Sequence, residues 1–528
     1  MASAAAAAGQ GPKGTLSERL LLTTKTGLKP IHRVAMDNWQ PATTVAMVSV
    51  PLSISLGIAS VATDDPAAPA MGVATAIWGG LVAGIFGSSD MNIVGPAGAL
   101  SGMLSAYTIQ FNGAGVLPYI SLLSACVIFV VYVLNLQRYF LLMPTAVFEG
   151  FTLAVALIIG LNQLNMAFDL HPPGAKHEHF YENVMESLKV IDQASLAPSI
   201  FFFIVTALLL GLVKYVPKVK GHPVPWTVIV PLVTIVFGYL SATDNLGGIA
   251  IPTLKNKYGE LHARVVVPPT QPLSYYAQGK IGGIITASFG VAFVAVLETL
   301  ISARIAEQKT NWGFDDSRET FGLMICHVVC GAVGAMPPTG VFVRTALNFS
   351  LGCTHKMSQV MNALVVLLIA VVAMPVFSYL PQCSVASLLI FASVRMAPIT
   401  YATDLWKTDK GSFGLLIFTC LVCVFSDPVY GLIVGMVIGL LRDAAVTARA
   451  ESRVTVLEQD KSSQMASGDE HPGADPPHPS SLGSRAQEVD GYEAKLAARE
   501  SPISSLLSLV MTRSGKRENS ESAKEDAN

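Results

Sequence analysis

Runs of apolar residues, about fourteen of them and many close to the roughly 20 residues that cross a bilayer, follow one another from residue 42 to residue 442. In lipid a backbone can satisfy its own N–H and C=O groups only as helices or as a closed barrel. Runs of this length read as helices. Of the 528 residues 52% are hydrophobic and 13% charged, against roughly 25% charged in soluble domains. The reading is an all-α polytopic membrane protein. A net charge of −2 gives no basis for nucleic acid as a partner. The Cys420-x-x-Cys423 pair lies inside "FTCLVCVF", where cysteine acts as a small hydrophobe, because a redox or zinc site needs access or further ligands. Neither a metal nor a cofactor is expected.

The segments fall into two sets of seven. The first set is 42–62, 69–87, 95–109, 117–136, 140–161, 198–216 and 224–241. The second is 281–304, 320–335, 338–351, 359–380, 383–396, 412–426 and 428–442. Counted from an inside N-terminus, the inside joints carry Arg138, Lys214, Lys218, Lys220, Arg304, Lys309, Arg318, Arg395, Lys407 and Lys410, while the first outside joint, "TDDP", is acidic. The positive-inside rule therefore puts both termini in the cytoplasm. Plasma membrane and organelle membrane stay undecided. The start of the chain lacks the apolar core of a secretory signal and reads as a cytoplasmic tail, with an organelle transit segment as the alternative. The expected divisions are a cytoplasmic segment 1–38, a transporter domain 39–445 (repeats 39–241 and 280–445) and a mostly disordered tail 446–528, rich in Ser, Ala, Glu, Pro and Lys. Within that tail "SPISSLLSLVMTRSGKR" (501–517) has an apolar run and a basic end, and a short membrane-surface helix is the alternative to disorder there.

Two segments break the pattern. "NIVGPAGALSG" (92–102) and "AMPPTGVFVRTA" (335–346) place Gly and Pro where a spanning helix ought to run on. Both segments are short, and each is third in its set. That is the sequence pointer to an inverted-repeat carrier with half-helices meeting near the bilayer midplane. Irregular backbone at that depth is tolerated only where it is buried or lines a cavity. A helix that starts there aims unpaired N–H groups and a partial positive charge into the cavity. Two such starts face to face make an anion site. The plainer alternative is a pair of kinked packing helices, but two breaks in register, one of them with an arginine, favour the site.

Charges inside apolar spans are costly and usually functional. Arg344 lies in segment ten and Glu298 in segment eight, "AFVAVLETLISARI". Arg344 can meet an anionic substrate, or pair permanently with Glu298. Glu298 can carry a coupling ion instead: a proton, since desolvation favours the neutral form of any carboxyl, or sodium, with Ser302 one turn on. Glu149 reads as a snorkelled or capping acid, and Asp427 as a helix cap. The cluster of His171, His177, Glu178 and His179 reads as a solvated loop rather than a metal site. The glycosylation pattern at Asn348 is discarded because it lies within a segment.

These residues resemble the sulfate-permease (SulP) family of anion transporters. The likeness is carried by "VSVPLSISLGIAS", "NIVGPAGALSG", "MPTAVFEGFTLAVALIIGLNQL", and most specifically by "VAVLETLISARIAEQ" and "DDSRETFGLMICHVVCGAVGAMPPTGVFVRTALNFSLGCTHKMS". It covers about residues 36–445. The resemblance implies fourteen segments in a 7+7 inverted repeat, with short half-helices three and ten. It also implies a core of segments one to four and eight to eleven, a gate of the rest, elevator-like alternating access and a homodimer. Family members often have Ser where Val343 stands, Gln where Leu52 stands and Asn where His327 stands. Leu52 resembles bacterial and bicarbonate-carrying members, whereas Arg344 resembles sulfate carriers. The family's usual cytoplasmic STAS domain is not expected in the tail.

The expected activity is secondary active transport of a small inorganic anion, sulfate or a similar oxyanion first, by proton coupling or anion exchange, with no enzymatic chemistry. Bicarbonate transport, with or without sodium, is the alternative on the same fold. A nucleobase permease-like carrier and an uncoupled anion channel are the further rivals. Substrate is expected at Gly95, Gly98, Ala99, Leu100 and Ser101, and at Thr339, Gly340, Phe342, Val343 and Arg344. Ion coupling is expected at Glu298 and Ser302.

Overall fold

The computed structural model describes residues 31–467 apart from 64, 141–142, 174–176, 178–179, 217, 220–221, 268, 270, 311 and 427. Glu178, His179, Asp427 and the stretch 501–517 lie outside the described residues. The described residues are mostly helical, and every expected segment coincides with a helix. In the first half these are α1 (Ile31–Ala59), α2 (Ala68–Phe86), α3 (Gly98–Gln110), α4 (Val116–Val133), α5 (Thr145–Leu161), α6 (Leu196–Tyr215) and α7 (Trp226–Ala242). In the second they are α8 (Ile281–Thr310), α9 (Asp316–Ala332), α10 (Phe342–Ser350), α11 (Met357–Phe377), α12 (Gln382–Met396), α13 (Lys410–Phe425) and α14 (Pro428–Ser467). Among the described residues 9 helices are long and apolar enough to cross a bilayer. The half-helices α3 and α10 are not among them, as their Gly/Pro starts require.

The packing repeats with an offset of seven helices. α4 lies against α9 and α8; seven helices on, α11 lies against α2 and α1. α6 packs on α12, and α13 packs on α5 in the same way. α1–α4 with α8–α11 form one body, and α5–α7 with α12–α14 form another. α3 leans on α5 across the boundary. Small residues let helices approach within each body: a Cβ at Gly57 of α1 or Gly72 of α2 would run into the other helix's backbone. On the outside, Leu364, Leu368, Val371 and Val372 of α11 are exposed, an apolar face suited to lipid.

Two features depart from the sequence reading. α14 continues to Ser467, past the expected division at 445, so residues 446–467 extend the helix of the last span. Their Ala, Glu, Arg and Lys content has good helix propensity, and they grow from a helix already nucleated in the apolar span. The residues ahead of α3 and α10 are also more than a break. They form two short strands, β1 (Val94–Gly95) and β2 (Thr339–Gly340), paired antiparallel with Val94 opposite Gly340 and Gly95 opposite Thr339.

At the boundary of α12 and α13 an ion pair ties the second body together. Asp409 caps α13 through the N–H groups of Gly411 and Ser412, and both its oxygens lie 2.9 Å from Arg442 Nη2 of α14. Burial pushes the Asp409 carboxyl up, but hydrogen bonds from Arg442 and Ser412 outweigh it and hold it at about 2. A carboxyl held low in the folded state stabilises fully above its unfolded value, and that stabilisation is lost as pH falls through the folded value. Asp409→Asn is therefore expected to lower the thermal midpoint of the detergent-solubilised protein at neutral pH. The gap to wild type should close as the pH is taken from about 4 toward 2. A gap independent of pH would mean that the charge of Asp409 is not its source, since asparagine keeps the capping acceptor.

Candidate anion site

The β1–β2 pair brings the two half-helices nose to nose. Pro96 follows β1, and Pro337 and Pro338 precede β2; proline fixes φ and donates no N–H, which keeps both approaches extended. β2 is held from α8, where Gly340 N donates to Thr299 Oγ1 at 2.8 Å. Thr339 Oγ1 lies 3.2 Å from the Ala295 carbonyl. Val341 N reaches across to the Ile93 carbonyl at 2.8 Å.

The N-cap residues are Ala97 for α3 and Val341 for α10, and neither helix receives a side-chain cap. Ser, Thr, Asp or Asn normally stands there to accept from the first turn. Without one, the first-turn N–H groups and the positive end of each helix dipole remain available to an external acceptor. The sequence signal for this lay in the alanine and valine at those positions, which the Gly/Pro reading passed over.

Arg344 lies in the first turn of α10 and is 2% exposed. Its Nη2 donates to the Pro96 carbonyl at 3.1 Å, so the guanidinium bridges from α10 to the approach of α3. Gly95 makes room for it: a Cβ there would meet Arg344 Nη1 at 2.9 Å. Arg344 Nε has no protein partner, and neither has Glu298 Oε2. Among the described residues no ion pair within 4.0 Å joins Arg344 to Glu298, although the two charges lie close enough to interact. A buried cation met by one carbonyl retains most of its capacity for an anion.

The other expected residues divide by surroundings. Gly98, Ala99, Leu100, Ser101, Thr339 and Gly340 are buried, whereas Phe342 and Val343 are 40% and 44% exposed. Ser101 Oγ donates to the Gly98 carbonyl at 2.8 Å. Ser302 Oγ lies 2.9 Å from Asn92 Oδ1 and 3.1 Å from Thr345 Oγ1. A cavity of about 800 Å³ is lined by α3 from Gly102 to Ile109, by the ends of α1, α5 and α7 and by the residues that follow those three helices. It reaches down to Gly102 and Ile158 and stops short of the expected substrate residues. Ile159 of α5 and Met396 of α12 both lie close to Gly98 at the start of α3.

Elsewhere, Glu149 is half-buried near the start of α5. His177 lies 2.8 Å from Glu186 and 3.5 Å from Glu182, while the His171 side chain is exposed. Among the described residues no group of three or more His, Cys, Asp or Glu could hold a metal. Cys420 and Cys423 are buried, and Cys423 Sγ lies 3.4 Å from the Pro428 carbonyl. Asn92 and Thr345, which sequence reasoning missed, and Glu319, to which it gave no role, are buried polar side chains directly behind the paired strands.

Comparison with known proteins agrees with this architecture. The profile of the group described as Sulfate permease family matches residues 41–419. YvdB of Bacillus subtilis (strain 168), which carries a provisional sulfate-transporter name, is 25% identical over 429 residues, covering 81% of this chain and 76% of that protein. Sulfate transporter 4.1, chloroplastic, of Arabidopsis thaliana is 25% identical over 67% of this chain, which spans half of that protein's length. Among solved structures, the transmembrane domain of the cyanobacterium bicarbonate transporter BicA superposes with a TM-score of 0.65 at 17% identity, covering 76% of this chain and 98% of that one. At that identity the likeness concerns the fold alone.

Proposed function

The chain belongs to the sulfate permease family, and we propose that it is a secondary active transporter of small inorganic anions, with sulfate or a similar oxyanion as its first cargo. It is an integral multi-pass membrane protein of a transporter family. The reading is carried by one observation: two helix starts without side-chain caps meet across the β1–β2 pair beside the buried Arg344, whose Nε lacks a partner. In this reading the first-turn N–H groups of α3 and α10 bind the anion's oxygens, with Gly95, Gly98, Thr339 and Gly340 keeping the backbone accessible. Each helix start contributes up to about 2 kcal/mol to an anion in a partly buried setting. Two together reach the roughly 4 kcal/mol of a millimolar site, weak enough for release. Alternating access moves the body containing α3 and α10 against the body containing α5 and α12. Both termini are cytoplasmic, and the unit is a homodimer.

Glu298 is the coupling group in this proposal, by proton or sodium, because it stands beside Arg344 with one oxygen unpartnered and no ion pair to occupy it. Ser302 belongs instead to the packing around Asn92. The test is purified protein in liposomes, given radiolabelled sulfate and bicarbonate under imposed pH and sodium gradients. Sulfate uptake against its gradient when protons flow inward is the expected result. Glu298→Gln should abolish the dependence on the proton gradient while exchange of anion for anion continues. Uptake that follows only the anion's own gradient would identify an uncoupled channel.

A further inference from the structure

Behind the paired strands lies a buried polar cluster that the transport reading does not use. Glu319, in the first turn of α9, is 3% exposed. Its Oε2 accepts from the backbone N–H groups of Ser88 at 2.7 Å and Ser89 at 2.9 Å. Its Oε1 accepts from Asn92 Nδ2 at 2.8 Å. Asn92, fully buried, turns its own Oδ1 to the hydroxyls of Ser302 of α8 at 2.9 Å and Thr345 of α10 at 3.1 Å. Thr345 Oγ1 in turn accepts the N–H of Ile93 at 2.9 Å. One asparagine thus joins α8, α9 and α10 to the segment that becomes β1 two residues later. The fit is close on the other side too, since a Cβ at Gly340 of β2 would meet Asn92 Nδ2 at 2.9 Å.

The inverted half has a weaker counterpart. There Thr75 of α2 holds the approach to β2, with its Oγ1 3.0 Å from Met336 N and 3.1 Å from the Met336 carbonyl. A neutral hydroxyl stands where the first half uses a carboxylate with three donors. Hydrogen bonds to an ionised acceptor are about twice as strong as neutral ones, and a fully satisfied buried network is rigid. The approach to α3 is therefore the stiffer of the two.

We propose that Glu319 and Asn92 are positioning residues for anion binding: they clamp the segment entering β1 so that the start of α3 stays in register with Arg344 and the start of α10. The proposal rests on the anion site described above. Neither side chain touches the anion. Each acts through the backbone, and hydrogen bonds from amide N–H groups weaken steeply as their angle opens.

A charge exchange tests the clamp. Glu319→Gln alone sets an amide N–H₂ against another donor, and Asn92→Asp alone sets two carboxylates together. In the double variant the new glutamine donates to the new aspartate, and its carbonyl oxygen accepts from Ser88 and Ser89. The aspartate still accepts from Ser302 and Thr345, so charge and bonding are conserved. Sulfate uptake in proteoliposomes and thermal midpoints in detergent are measured for all four proteins. Each single variant should raise the KM about tenfold with the saturated rate within about threefold of wild type, and the double variant should return the KM to within about threefold. Single variants that fold and keep the wild-type KM would overturn the proposal. So would a double variant that recovers the midpoint but not the KM, which also decides the matter if the single variants do not fold. Wild-type protein that carries neither sulfate nor bicarbonate fails the transport reading instead, a result distinct from unshifted single variants.

Discussion

Arg344→Ala is expected to raise the KM for sulfate about ten- to a hundredfold, because a hydrogen bond to a charged group contributes roughly 1.5–3 kcal/mol and each 1.4 kcal/mol is a factor of ten. Monovalent anions should lose less, since the Coulomb energy scales with the charge facing the guanidinium. Two roles of Arg344 compete here, and the comparison separates them. Its Nη2 holds the Pro96 carbonyl at 3.1 Å, so its removal also frees the approach to α3. A purely structural loss would weaken sulfate and bicarbonate alike. A direct contact weakens the divalent anion more. Arg344→Lys refines the result, because lysine keeps the charge but cannot reproduce the fork of donors. Partial recovery of sulfate affinity with that variant fits direct contact. Equal losses for both anions in the alanine variant would reduce Arg344 to a strut.

The two half-helix starts could be read from the chain before any coordinates. The apolar runs fixed the helices because lipid leaves the backbone few alternatives. Arg344 stood out because a cation in such a run demands a reason. The strand pair could not be read: two residues on each side show no period, and Val94 finds Gly340 only once both halves have folded. The partner of Arg344 was also beyond the sequence. Opposite charges invite pairing, yet the guanidinium reaches the Pro96 carbonyl because Gly95 leaves it room. Asn92 and Glu319 lie 227 residues apart and meet at 2.8 Å, and nothing local marks them as partners. The extension of α14 escaped for the opposite reason. Polar composition suggested a tail, while propensity and a nucleated helix carried it on to Ser467.

Gly98→Leu is expected to reduce transport to below about a tenth of wild type while leaving the protein folded, a change that overpacking of about 1–3 kcal/mol can produce. Gly98 opens α3 where the two bodies touch. A Cβ at this position would lie 2.9 Å from Ile159 Cδ1 of α5 and 3.1 Å from Met396 Sδ of α12. One turn on, a Cβ at Gly102 would lie 2.8 Å from Ile158 Cγ2. These glycines give α3 a smooth face against the other body. That suits a surface which must slide, because changing register does not drag a side chain through a tight fit. Gly98→Ala is the milder companion. The tips of Ile159 and Met396 are flexible and can shift a few tenths of an ångström, so uptake should stay within about threefold of wild type. A leucine projects too far for that adjustment. It either wedges the bodies apart or pins them in one arrangement. Adding Ile159→Ala to Gly98→Leu reopens the space, and recovery of uptake in that pair would locate the block at this contact. Proteoliposome uptake, with the thermal midpoint as a check on folding, measures all four proteins. Normal flux through Gly98→Leu would show that α3 does not move against α5 and α12 during transport.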